Sequence, residues 1–172
     1  MDTFRCTHCG EEHDLSKIEP SFDRPDAYFE IPEAERSERS WNSESFCVIW
    51  ESESSPRRHF LRVLLPIPVR GDAKTYSWGI WVEVDEASFA SVHDHWRDAL
   101  RCELPPFTGR VANRLPGMDD TVGLEGFVTS PDLESVPVFH LPPTSLHDLA
   151  REQREGIYPE RVVEWAARAA HL

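Results

Sequence analysis

The sequence predicts an α+β fold: an antiparallel β-sheet with helices packed on it, preceded by an N-terminal hook resembling a zinc knuckle. Three observations carry that prediction. Runs rich in β-branched and aromatic residues occur at 46–50, 59–69 and 75–84, separated by turn signals. Phe89, Val92, Trp96 and Leu100 then recur at three and four residues, which is one stripe of a helix. Strands and helices do not alternate regularly, as a βαβ fold would require. A chain of 172 residues with 40% hydrophobic content supports one well-cored domain, since about 150 residues already bury roughly two-thirds of their unfolded surface. The expected organisation is a single domain over 1–172, with a metal-binding hook over 1–20 and an α+β body over 21–172.

Taken in order, residues 21–32 read as an extended connector bearing prolines and aromatics. Ile31-Pro32-Glu33-Ala34-Glu35-Arg36 reads as a helix start, with proline in the first turn and acids at the positive end of the dipole. Phe46-Cys47-Val48-Ile49-Trp50 is a short buried strand. The next two strands, His59 to Val69 and Thr75 to Val84, follow the turns Ser55-Pro56-Arg57-Arg58 and Arg70-Gly71-Asp72, which makes an antiparallel meander. Pro66 and Pro68 remove donors from one edge of the second strand and place that end at a sheet margin. On the third, Tyr76 and Trp78 share a face and Trp81 takes the other; Trp81, Trp41 and Trp50 read first as packing residues. Glu86 to Leu100 is the amphipathic helix. Val122 to Val128 and Val136 to Leu141 read as further strands. Ser145-x-x-Asp148 resembles a capping box for a helix that Gly156 ends, and Pro159 opens a last helix.

Chemistry is concentrated at the N-terminus. In Cys6-Thr7-His8-Cys9-Gly10 the glycine permits φ > 0, so the turn can aim two thiolates at one point, and His13 follows four positions after Cys9. Cys6, Cys9 and His13 supply three ligands for a zinc ion. Cys47 is the expected fourth, with His8, Cys102, His140 and His171 as alternatives. Four protein ligands would make the metal structural, and three plus water would leave it open for catalysis. A redox dithiol is the weaker reading, because no strand and helix flank Cys6 as in thioredoxin-type sites. Cys9-Gly10-Glu11-Glu12-His13 resembles the helical His-Glu-x-x-His only superficially, since the first histidine is missing. His93 and His95 point apart on a helix and cannot chelate together. His59, His140 and His147 are read as structural or solvated. No Gly-x-Ser-x-Gly elbow or phosphate-binding glycine loop occurs, so hydrolase, kinase and dinucleotide readings lack their usual support.

The net charge of −13 opposes a nucleic-acid backbone or an anionic membrane and favours a basic protein partner. Acid is concentrated at Glu30, Glu33, Glu35, Glu38, Glu44, Glu51 and Glu53, against Arg36 and Arg39 alone; the bland alternative is a solvated surface. No membrane-length apolar run and no secretory pattern is present, which points to the cytoplasm.

Five strings together resemble an uncharacterised bacterial family, domain of unknown function 2199. They are Phe4-x-Cys6-x-x-Cys9-Gly10-x-x-His13, Phe46-Cys47-Val48-Ile49, Phe60-Leu61-Arg62, Trp78-Gly79-Ile80-Trp81-Val82 and His147-x-Leu149-Ala150-x-Glu152-Gln153-x-x-Gly156-Ile157. Asp148 stands where that family is expected to carry proline. The resemblance implies a small cytoplasmic bacterial protein, strengthens Cys6, Cys9, His13 and Cys47 as a set, and implies no reaction. Arg62 is a candidate for pairing a carboxylate or receiving an anion. Three functional readings follow: a binding or regulatory module with structural zinc, a metalloenzyme with an open zinc or histidine-lined site, and an immunity- or antitoxin-like inhibitor of a basic protein.

Overall fold

The computed structural model describes residues 3–5, 12–14, 20–73 and 75–169. Two short strands, β1 (Thr3–Arg5) and β2 (Glu12–Asp14), pair antiparallel in a sheet of their own, with Phe4 opposite His13. The body begins with α1 (Asp26–Phe29), a 3-10 turn over Glu33–Glu35, α2 (Arg36–Arg39), β3 (Ser40–Asn42) and β4 (Phe46–Ile49). Two long strands follow, β5 (Arg58–Pro68) and β6 (Thr75–Val84), then α3 (Glu86–Asp94) and α4 (Leu100–Glu103). The chain continues through β7 (Phe107–Val111), β8 (Glu125–Thr129) and β9 (Val138–His140) to α5 (Asp148–Glu155) and α6 (Pro159–Ala169).

Strands β5 to β9 neighbour one another in order and close into a small five-stranded barrel, while β3 and β4 extend the sheet beyond β5. Mixed α+β architecture is therefore present, but the sheet departs from the antiparallel expectation in one ladder. β9 runs parallel to β5 at Val138 and Leu64, where the Leu64 N–H donates to the Pro137 carbonyl at 2.9 Å. The reason is length and twist. β5 has eleven residues, so one edge serves β4 from Arg58 to Leu61 and still has room for β9 beyond. The ordinary twist of five strands brings the last back to the first. The knuckle portion of the expected hook, residues 6–11, lies outside the described residues.

The prolines of β5 explain where that closing ladder stops. Arg62 and Leu64 donate their N–H groups to Ser45 and Pro137, so by the period of two the missing donors of Pro66 and Pro68 belong to the same edge. Gln153 of α5 bridges the opening that results. Its Nε2 donates to the carbonyls of Phe139 (2.9 Å) and Pro66 (3.2 Å), and its Oε1 accepts from the Leu141 N–H at 2.8 Å. Further on, Ile157 N–H donates to the Pro68 carbonyl and Arg70 N–H to the Ile157 carbonyl, both at 2.8 Å. The α5–α6 junction is thereby fixed to the end of β5.

Inward residues of the barrel, among them Leu61, Val63, Leu65, Ile67, Ile80, Val82, Val128 and Phe139, are fully or almost fully buried. Trp165 of α6 seats its ring 5.7 Å from Tyr76 and 5.5 Å from Trp78, capping that core. A second apolar layer lies on the other face of β4, β5 and β6: Cys47, Ile49, Phe60 and Trp81 under Ile31 and Ala112. The connector covers it. Phe22 N–H donates to the Gly79 carbonyl, and Asn113 holds the segment through the Arg24 carbonyl and Asp26 Oδ1.

Several local expectations change. The connector contains α1, and the helix start at 31–36 becomes the 3-10 turn followed by four residues of α2. The helix expected to reach Leu100 ends at Asp94, and Leu100 is half exposed, because the chain turns so that Arg101 can be buried against the 132–135 loop. β7 carries no sequence signal of strand length; Gly109 lies at its centre, where an added Cβ would come within 3.2 Å of Val128. His147, whose ring Nδ1 accepts from the Leu149 N–H, caps α5 in place of the Ser145 box.

Candidate functional site

Of the expected metal ligands, Cys6 and Cys9 lie outside the described residues, as do the alternatives His8 and His171. His13 belongs to β2, opposite Phe4. Cys47 is fully buried in β4 among Ile31, Ile49, Phe60 and Trp81, and burial pushes its thiol up to about 12. Among the described residues no group of three or more His, Cys, Asp or Glu side chains is placed to hold a metal ion. Cys102 and His140 are exposed, on α4 and β9.

Other histidines have packing roles. His59 is buried against Phe89, with ring centroids 5.0 Å apart, and His93 lies edge-on to Phe46 and Trp41. Arg62 donates to Ser21 Oγ at 2.5 Å, which ties the connector to β5. Trp81 packs as expected and donates its indole N–H to the Phe22 carbonyl at 3.0 Å. Trp41 does not: it is 46% exposed.

The acidic segment is turned to solvent. Glu30, Glu33, Glu35, Glu38, Glu44, Glu51 and Glu53 are all exposed. Its two bases are engaged: Arg39 pairs with Glu35 at 2.7 Å, and Arg36 donates to the Ile31 carbonyl and lies over the Tyr28 ring. Phe29, 55% exposed, and Trp41 add aromatic area within the same stretch.

A second feature sits where β5, α5 and α6 meet. Their side chains enclose a cleft of about 310 Å³, lined by Arg70, Arg151, Glu152, Glu155, Tyr158 and Arg161 around the Gly156–Ile157 backbone. Gly156, at the end of α5, has a positive φ of +78°, which favours glycine, and a Cβ there would meet the Pro68 carbonyl at 2.9 Å. Arg70 Nε donates to the carbonyls of Glu155 and Gly156, both at 3.0 Å, and Nη1 to the Tyr158 hydroxyl at 3.1 Å. Arg161 donates to Glu152 Oε1 at 3.1 Å and to Glu164 Oε2 at 2.9 Å. The other carboxylate oxygen of Glu152 is buried and unpartnered among the described residues, and desolvation raises this carboxyl despite Arg161. In the sequence Glu152 stands within the string His147 to Ile157 and carries no signal of a role. Its partner Arg161 stands nine residues on, in the next helix, so only the packing of α6 on α5 reveals the arrangement.

Fold and clefts together define a small barrel-centred α+β protein with a separate N-terminal hairpin. The chain belongs to the family described as an uncharacterized protein conserved in bacteria (DUF2199), whose model matches residues 5–157. Neither a curated protein nor a solved structure matches it. No helix among the described residues is long and apolar enough to cross a membrane.

Proposed function

We propose that this chain is a cytoplasmic binding or regulatory module that engages a basic protein partner through residues 29–53, in the manner of an immunity- or antitoxin-like inhibitor, with a structural zinc on its N-terminal hairpin. The observation that carries the reading is the exposure of all seven glutamates of that segment beside exposed Phe29 and Trp41. Complementary charge steers encounter, and an aromatic residue inside a charged rim supplies apolar contact area.

Support for the metal comes from chain geometry. Six residues, 6 to 11, join two antiparallel strands, so the Cys-x-x-Cys lies in one short connection with His13 just beyond it. Short spacing of this kind suits a tetrahedral zinc site. Purified protein is expected to carry one equivalent of zinc and to lose it in Cys6→Ser and Cys9→Ser; full retention in both ends the metal reading. Zinc content of Cys47→Ser decides the fourth ligand.

The partner surface is tested with poly-L-lysine as a basic probe. Binding should quench a fluorescence component that Trp41→Phe removes, and should weaken as salt is raised. A Glu33→Lys, Glu35→Lys, Glu38→Lys variant should lose it. An undiminished response in that variant would refute the surface.

A further inference from the structure

The seven-stranded sheet is closed at one end and open at the other. β9 pairs with β5 as well as β8, whereas β3 has β4 as its one neighbour among the described residues. Hydrogen bonding shows which groups that edge presents. Trp50 N–H donates to the Arg39 carbonyl at 3.1 Å and Ser43 N–H to the Phe46 carbonyl at 2.8 Å, while Trp41 lies opposite Val48. Bonded and non-bonded pairs alternate in an antiparallel ladder, so residues 39, 41 and 43 bond to β4 and the intervening ones face away. Asn42 therefore turns its N–H and carbonyl outward, with the Ser40 carbonyl on the same edge, and none of the three has a partner among the described residues.

An edge of this kind is a template for another strand, and proteins blunt it with brevity and charge. Both devices are present: β3 has three residues, and Glu38 and Glu44 stand two residues beyond its ends. That charge is selective. A second copy of this chain would bring the same glutamates and a net charge of −13 and is repelled, whereas a strand carrying Lys or Arg is attracted. Arg24 of the connector donates to Asn42 Oδ1 at 2.8 Å, which steadies that end of β3. Trp41 supplies the apolar part of the contact. Its ring stands edge-on to His93, with centroids 6.0 Å apart, and stays 46% exposed, so a residue added beside it finds a packing surface.

We propose that the basic partner docks as an extended segment that adds a strand to β3. Its backbone pairs with Asn42 and Ser40, and its Lys or Arg residues alternate with apolar ones that lie against Trp41. The inference rests on the basic-partner reading above and specifies how that partner binds. Main-chain bonds give such a contact its affinity, and alternate side chains give it specificity.

The test is an amide-resolved NMR titration of the full chain with three end-blocked peptides of sequence Lys-Val-Lys-Val-Lys-Val: the parent, one N-methylated at its lysines and one N-methylated at its valines. All three carry the same charge, and each methylated peptide has lost the N–H donors of one edge. The parent should saturate, and the Asn42 amide should move downfield and exchange its hydrogen more slowly. One methylated peptide should bind about tenfold more weakly and the other like the parent, the loss expected for one or two main-chain bonds. Asn42→Pro removes the outward donor and leaves the ladder to β4, so it should weaken the parent peptide by about fivefold. Equal affinities for all three peptides, lost in the Glu33→Lys, Glu35→Lys, Glu38→Lys variant, would overturn strand addition and leave the charged surface standing. Absence of binding by any peptide would overturn both readings. A dimer formed on concentrating the free protein, with the Asn42 amide protected in it, would give the edge to a second copy and overturn the proposal.

Discussion

Glu152 shows how one side chain joins stability to the cleft. Desolvation raises its carboxyl above the ordinary 4.5, with Arg161 opposing and Asp148 adding to the shift. The native state therefore holds a proton that the unfolded chain has released, so this group's contribution to stability falls as pH rises from about 4.5 to the raised native value. Asp85, Asp132 and Glu164 are held low by hydrogen bonds and work in the opposite direction over a more acidic range. Glu152→Gln should cancel only the first effect. Urea unfolding of both proteins at a series of pH values should show the variant gaining on the parent as pH rises through that window; a constant difference would contradict it. Arg101 is a contrasting case, 1% exposed, with its guanidinium donating to the carbonyls of Trp96, Asp132 and Ser135 and stacked 4.6 Å from the Trp96 ring. Lysine has no planar fork to reach three carbonyls, so Arg101→Lys should cost about 2–4 kcal/mol in chemical denaturation. Neither role was legible in the sequence, where no local pattern sets either residue apart from its charged neighbours. Burial of a charge is decided by which distant loop folds over it.

Elements divide by how local their causes are. β5 and β6 were legible within a residue or so, because each is a long run of β-branched and aromatic residues ending at proline, glycine or aspartate. The end of α5 and the start of α6 were equally readable, since Gly156 and Pro159 act through their own backbone. β7 and the closure of the barrel were not. The first is a strand because β6 and β8 lie on either side of it, and the second rests on one parallel contact between Leu64 and Val138. Two substitutions probe that closure. Gly126 of β8 packs so tightly that a Cβ would stand 2.4 Å from Phe139 Cζ and 2.5 Å from the His140 carbonyl, so Gly126→Ala should destabilise by about 1–3 kcal/mol. Gln153→Leu leaves two carbonyls and one N–H at the β5–β9 opening without their partner, at a cost of about 2–4 kcal/mol. Hydrogen exchange separates the two mechanisms: Gln153→Leu should speed exchange of the Leu141 amide first, whereas Gly126→Ala should loosen β8 and β9 together.

On the scale of the whole molecule, the N-terminal hairpin and the barrel are built on different principles. The barrel is held by two apolar layers, one inside and one between the sheet and its connector. Among the described residues the β1–β2 sheet shares no ladder with it, and a two-stranded hairpin alone is marginal in water; the proposed zinc would supply its order. The link between the two runs through Pro20 and Phe22, whose backbones bond to Gly79. If the ion is held by Cys6, Cys9 and His13 without Cys47, its removal should be a local event. Treatment with a strong chelator should then abolish hydrogen-exchange protection at the Phe4 and His13 amides. The six tryptophans, all between positions 41 and 165, should meanwhile keep their near-ultraviolet circular dichroism. The barrel's melting temperature should shift by less than about 2–4 °C, the change that ~1 kcal/mol produces in a chain of this size. A much larger drop, with the tryptophan signal lost in the same step, would mean that Cys47 ligates the ion from within the sheet and that hook and barrel fold as one unit.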